Sequence, residues 1–265
     1  WDCFPEGTGF VSPDASETAV AAFTARHGRV LTFPGPDVPQ DPSAWAGAEV
    51  SVRRLQAQGV RFIDPRNAYI GPDVTVGEGT VILPGTILRG KTVIGKGCEI
   101  GPNTMIRDCV LGDGCIANAS QLNEARFGND VNIGPFAYVR PGSVVADGCK
   151  VGDFVELKNS TIGDGTKISH LTYIGDSDVG KNINFGCGTV TVNYDRVKKS
   201  RTVIDDDAFI GCNANLIAPV HIGQGAYIAA GSTVTDDVPP AALAIARARQ
   251  QNKRDWANRH KLKEK

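Results

Sequence analysis

A chain of 265 residues is long enough for one or two domains with a substantial core, and its 28 Lys and Arg against 29 Asp and Glu argue against a surface built to hold nucleic acid. Glycine is abundant at 31 residues while Met and Trp number 1 and 3, a composition of turns and small aliphatics rather than of a helical bundle. No apolar run approaches the roughly 18 residues of a membrane span and no secretory leader is visible, so a cytoplasmic protein with no membrane partner is expected. The seven cysteines are odd in number and form no CxxC pair, which points to reduced thiols rather than a disulfide framework or a zinc site.

Residues 1–50 show no repeating pattern. "DPSAWAGAEVSVRRLQAQG" reads as a helix, with Asp41 or Ser43 as its cap, so 1–66 is taken as an N-terminal flank of unassigned role. A six-residue period then begins. Aliphatic side chains fall at Ile70, Val76, Ile82, Leu88, Ile94, Ile100 and Ile106, with small or branched residues such as Val74, Thr80, Thr86, Thr92, Cys98 and Thr104 four positions after. The period breaks near Leu111, returns from Ile133 and runs on, with one long gap between Thr191 and Ile204, to Val234.

Neither a 3.6-residue helix nor a two-residue strand alternation gives this spacing. A short strand plus a sharp turn does, and three such units close a triangular coil of about 18 residues that stacks on the next as a parallel β-helix. The expected domain is 67–238. Pro239 and Pro240 are expected to stop the coil, leaving 239–265 as a basic helix or tail with eight Lys and Arg from Arg247 onward.

His170 stands two residues after Ile168, a corner position, so a core role is not expected for it. Counting coils places Cys187, Cys212 and Ala230 after it along one edge of the prism. The gap at "TVNYDRVKKSRTVI" must leave the prism as a loop, which carries Asn193, Tyr194, Lys198, Lys199 and Arg201, and its place beside the histidine edge favours a functional role over a tolerated insertion.

The stretch from "RRLQAQGVRFIDPRNAYIGPDV" onward, and above all its blocks "FVELK", "SHLTYIGD", "NINFGCGT" and "VNYD", resembles the acetyltransferase half of the bifunctional N-acetylglucosamine-1-phosphate uridyltransferase/glucosamine-1-phosphate N-acetyltransferase family, over about four-fifths of the chain. The resemblance implies an all-β, left-handed parallel β-helix with short helical flanks, assembled as a homotrimer with active sites between subunits. It implies acetyl transfer from acetyl-CoA, a co-substrate, to the amine of glucosamine 1-phosphate, with no metal. Matched motif by motif, His170 takes the place of the general base, Glu156 that of the group orienting it, and Asn193 lies beside the reacting groups. Arg140, Lys158, Tyr173, Asn184 and Lys199 match sugar-phosphate contacts; Cys187, Tyr194, Cys212, Ala230 and Arg247 match coenzyme contacts. The family commonly has Ala in the place of Cys187 and Ser in the place of Cys212. No Gly-rich nucleotide loop precedes the repeat, so uridylyl transfer is not expected of this sequence.

In chemical terms, a histidine titrating near neutrality suits an amine that must shed a proton to attack a thioester, and the Cys187 N–H is a candidate donor to the oxyanion that forms. Other readings stay open: a different amino-sugar or nucleotide-sugar acceptor, or a trimeric scaffold that binds sugar phosphates without turnover. A zinc site of three histidines is disfavoured, because only His170 and His221 lie on the coil and their spacing fits no pair.

Overall fold

The structure, a computed structural model, describes residues 9–10, 30–31 and 48–260. Asp41 and Ser43, the expected helix caps, lie outside the described residues. The helix itself spans Ala48–Ala57. It closes the mouth of the first coil: Val52 and Leu55 are buried, and the Arg54 guanidinium donates to the Val74 carbonyl at 2.8 Å.

Beyond the helix the chain winds as a three-sided prism. Among the described residues its faces are parallel sheets of 11, 10 and 9 strands, and each strand pairs with the equivalent strands one coil before and one coil after. The eleven-stranded face runs from Arg61–Phe62 to Leu243–Ala244. The expected inward residues are indeed inside: Ile70, Ile82, Leu88, Ile100 and Ile106 are fully buried, as are Val74, Thr80, Thr86, Thr92 and Thr104. Buried hydroxyls tie coil to coil. Thr80 Oγ1 donates to the Gly95 carbonyl at 2.8 Å and accepts from the Cys98 N–H at 3.0 Å, which satisfies a polar group that burial alone would penalise.

Two expectations about the coil need correction. The interruption near Leu111 is no break in the prism. Met105 pairs with Gln121, Val110 with Arg126 and Ile116 with Asn132, so the coil there closes in sixteen residues instead of eighteen, and Leu111, Ala117, Leu122 and Phe127 carry the core onward. Nor do Pro239 and Pro240 end it: Leu243–Ala244 still pairs with Tyr227–Ile228. A proline lacks a donor but tolerates a corner, where no ladder bond is required. From Arg247 to His260 the chain is exposed, with one short helix at Trp256–Arg259.

Candidate active site

The strand Lys167–His170 belongs to the eleven-stranded face, and Tyr173–Gly175 follows on the ten-stranded face, so His170 marks the corner between the two. In strand register Asp153 lies one coil before it. Lys167 and Ile168 pair with Asn184 and Phe185, which carries the same column up to Cys187. The Asn213 N–H donates to the Cys187 carbonyl and the Gly231 N–H to the Cys212 carbonyl, both at 2.8 Å, so Cys187, Cys212 and Ala230 climb the corner as the spacing predicts. Glycine permits this stacking. A Cβ on Gly186 would stand 2.4 Å from the Cys212 nitrogen, and one on Gly211 would stand 2.5 Å from the Ala230 nitrogen. Arg247 joins the column, its Cδ lying 3.7 Å from where a Gly231 Cβ would be. Cys187 is half-buried and Cys212 exposed. Asn184 lies on the eleven-stranded face, in line with Lys167 and Phe209.

The imidazole is open to solvent, its side chain 53% exposed, and its Nδ1 sits 2.7 Å from Asp153 Oδ1. The expected orienting carboxylate, Glu156, is engaged elsewhere: its Oε1 accepts from Arg140 Nη1 at 2.9 Å. The physical reason is the pleat. Glu156 opens the next strand and projects from the middle of the ten-stranded face, in line with Tyr138 and Tyr173, whereas Asp153 shares the corner with the ring. A coil of seventeen residues sets Asp153 beneath His170, and motif matching carries no information on the length of that coil. The bond to His170 holds the Asp153 carboxyl below the usual carboxylate range.

Cations gather on the ten-stranded face. The Arg140–Glu156 pair holds the Arg140 guanidinium above its ordinary value. Lys158 Nζ reaches Asp176 Oδ2 at 3.2 Å, and Lys199 of the loop comes against Lys158. Burial works against charge on Lys158, but the Asp176 carboxylate beside it outweighs that and its affinity for a proton rises. Lys199 pays the opposite way: the neighbouring Lys158 ammonium, with Arg140 beyond, holds it below the ordinary lysine value. Tyr173 folds back over its own strand, so that a Cβ on Gly175 would meet its hydroxyl at 2.4 Å. Arg140, Lys158, Tyr173 and Lys199 therefore do come together.

The loop does not lie beside His170 in the same chain. It joins Val190–Val192 of the ten-stranded face to Thr202–Ile204 of the nine-stranded face, so it leaves from the other edge of the ten-stranded face. At about 3.3 Å per residue a face is roughly 15–20 Å wide. The loop is a small antiparallel hairpin: Tyr194 bridges Lys199, Ser200 N–H donates to the Asn193 carbonyl at 2.9 Å, and Asp195 Oδ1 accepts from the Val197 and Lys198 N–H groups at 2.8 and 2.7 Å. Asn193 Nδ2 donates to Asp176, and the Tyr194 hydroxyl donates to the Arg196 carbonyl at 2.8 Å. In one chain Asn193 and Tyr194 are thus apart from the imidazole and from the cysteine column that sequence reasoning grouped them with. His221, paired with Asp205 at 2.8 Å, stands on the nine-stranded face, away from His170.

Hexapeptide-repeat proteins of the left-handed parallel β-helix type are the class that this prism defines. The family described as bacterial transferase hexapeptide (six repeats) matches residues 124–159 and 201–236. A solved UDP-N-acetylglucosamine acyltransferase from Francisella novicida shares the fold, with 18% identity and a TM-score of 0.50 over 68% of this chain and 65% of that one. The chain is homologous to the hexapeptide-repeat half of the proteins called bifunctional protein GlmU. That of Geobacillus sp. (strain WCH70) is 56% identical over 211 residues, 80% of this chain and 46% of that protein. That of an Exiguobacterium species is 49% identical over 254 residues, 94% of this chain and 55% of that protein. The chain spans about half the length of the curated relatives it matches.

Proposed function

We propose that the chain transfers acetyl from acetyl-CoA to the amine of glucosamine 1-phosphate, giving N-acetylglucosamine 1-phosphate for UDP-N-acetylglucosamine synthesis in the cytoplasm. The observation that carries the reading is the position of His170 between two unlike surfaces. On one side lies a face that gathers three cations: Arg140 beside Glu156, Lys158 beside Asp176, and Lys199 of the loop beside Lys158. Charge-assisted bonds from such groups suit a phosphate monoester. On the other side the small-residue column Cys187–Cys212–Ala230 climbs to Arg247, which suits an extended coenzyme ending in phosphates.

In the reaction the acceptor nitrogen forms a C–N bond to the thioester carbonyl carbon, and His170 Nε2 takes the proton that the nitrogen sheds. The Cys187 N–H would donate to the oxyanion. The C–S bond then breaks and the coenzyme thiolate recovers the proton from the imidazolium. No covalent acetyl-enzyme is needed, because the thioester is already activated.

The reading takes the working unit as a homotrimer in which each site is completed between copies. What supports this is the separation of the loop from His170 across a face, together with a ladder of exposed apolar side chains at the His170 corner. Phe136, Phe154 and Leu171 all hold left-handed backbone (φ 59°, 56° and 43°), and the two phenylalanine rings stack at 5.3 Å. Such residues rarely adopt that conformation in the open, and burial against a neighbour would repay it. The proposal assigns no uridylyl transfer to these residues.

The test is thiol release from acetyl-CoA with glucosamine 1-phosphate, with and without UTP. The expected result is thiol release without pyrophosphate release, lost about 10²–10⁴-fold in His170→Ala. Thiol release that is unchanged in His170→Ala overturns the mechanism. A panel of amino sugars and nucleotide sugars separates the remaining acceptors, and no turnover with any amine favours a binding scaffold.

A further inference from the structure

We infer that Asp153 is the positioning residue for His170: it fixes which imidazole nitrogen carries the proton and leaves Nε2 as the free base. The inference rests on the acetyl-transfer reading of the same site. Its first ground is register. Asp153 and His170 are paired residues on successive strands, Lys150–Asp153 and Lys167–His170, so the two side chains leave the prism at the same corner, one coil apart. The prism is rigid there, with Val151 and Ile168 buried directly inside the pair.

The second ground is hydrogen-bond chemistry. Nδ1 and Oδ1 are 2.7 Å apart, and an ionised carboxylate can only accept. The imidazole nitrogen facing it must therefore carry the hydrogen. In the neutral ring Nε2 is then the acceptor, the state required to take a proton from the attacking amine, and the imidazolium that forms keeps an anion at its back. A neutral histidine without such a partner populates both tautomers, and only one of them can act as a base through Nε2.

The third ground is elimination among the nearby carboxylates. Glu156 is committed to Arg140, and Asp176 to Lys158, Asn159 and Asn193, at the far edge of the ten-stranded face. Of the three, Asp153 is the one within hydrogen-bond distance of the ring. With its side chain 37% exposed, it is reached by water, so its removal is expected to weaken orientation rather than abolish the site.

The experiment combines nitrogen NMR of the full chain labelled at histidine with steady-state kinetics of Asp153→Leu, Asp153→Glu and His170→Ala. In the unsubstituted protein above the titration of the ring, the His170 spectrum should report hydrogen on Nδ1. Asp153→Leu should shift it toward hydrogen on Nε2 and lower kcat about 10–100-fold, with KM for both substrates within about twofold. Asp153→Glu, which keeps a carboxylate on a longer stem, should recover part of the loss. A neutral ring protonated on Nε2 in the unsubstituted protein overturns the inference without any variant having to fold. So does a kcat for Asp153→Leu equal to that of the unsubstituted protein while His170→Ala is inactive. If His170→Ala itself is fully active, the acetyl-transfer reading fails instead.

Discussion

Lys199 of the loop stands beside Lys158, whose ammonium pairs with the Asp176 carboxylate at 3.2 Å. Lys199 keeps its proton less firmly than a free lysine because the Lys158 ammonium lies against it. A bound phosphate dianion would reverse that, so acceptor binding should take up a proton at alkaline pH. As pH rises through the depressed value, short of the ordinary 10.5, Lys199 becomes neutral and KM for the acceptor should rise. Lys199→Ala should raise that KM about tenfold at neutral pH, the loss of one exposed charge-assisted bond, and should lack the alkaline rise. Acceptor KM measured between neutrality and pH 10 for both proteins checks this. An unchanged alkaline limb in the variant would remove Lys199 from the phosphate subsite.

At the scale of the element, one root of the extruded hairpin is held by the buried Asp176 carboxylate, and the other by Arg201, whose guanidinium pairs with Asp178. Asp176 accepts from Asn159 Nδ2 at 2.6 Å, from Lys158 Nζ at 3.2 Å and from Asn193 Nδ2 at the root of the loop. Burial pushes its carboxyl up, but these three donors outweigh it and leave it below the ordinary 3.8. The sign follows. The unfolded chain binds this proton more readily than the folded one, so the contribution to stability is complete above about pH 4 and is lost as pH falls through the folded value. Asp176→Ala should cost about 1–3 kcal/mol in urea denaturation at neutral pH, since three donors lose their acceptor. Amide exchange should speed up at residues 193–200 and stay slow in the strands Lys167–His170 and Tyr173–Gly175. Uniform acceleration across the prism would mean that Asp176 holds the coil rather than the loop.

At the scale of the whole molecule, the prism separates residues that the proposed reaction would bring together. His170 stands at one edge of the ten-stranded face and the loop at the other, with Asn184 around the corner on the eleven-stranded face. Mixed assemblies test whether a second copy closes the gap. His170→Ala and Asn193→Ala chains, each weak alone, should regain a substantial fraction of activity when denatured together and refolded, because some interfaces then carry both native residues. Sizing by light scattering should give three chains. A monomer with full activity, or a mixture no more active than its parts, would refute completion between copies.

Much of this was legible without coordinates. A six-residue period of buried aliphatics dictates a coil, since only a short strand and a tight corner return the chain to the same face so often, and arithmetic on that period already aligned His170 with Cys187, Cys212 and Ala230. Coil length was less legible. Coils of sixteen and seventeen residues look like lapses in the period, although the corners absorb the missing residues and the core continues through Leu122 and Phe127. Two matters only the tertiary structure decided: which carboxylate meets the imidazole, and which corner releases the loop. Both depend on side chains from different coils meeting across the stack. Sequence spacing fixes the inward-facing residues through the period of the coil, whereas contacts between outward-facing side chains depend on accumulated register: the length of the coil at this level sets Asp153 under His170, while Glu156, three positions further on, falls under Tyr173 on the next face.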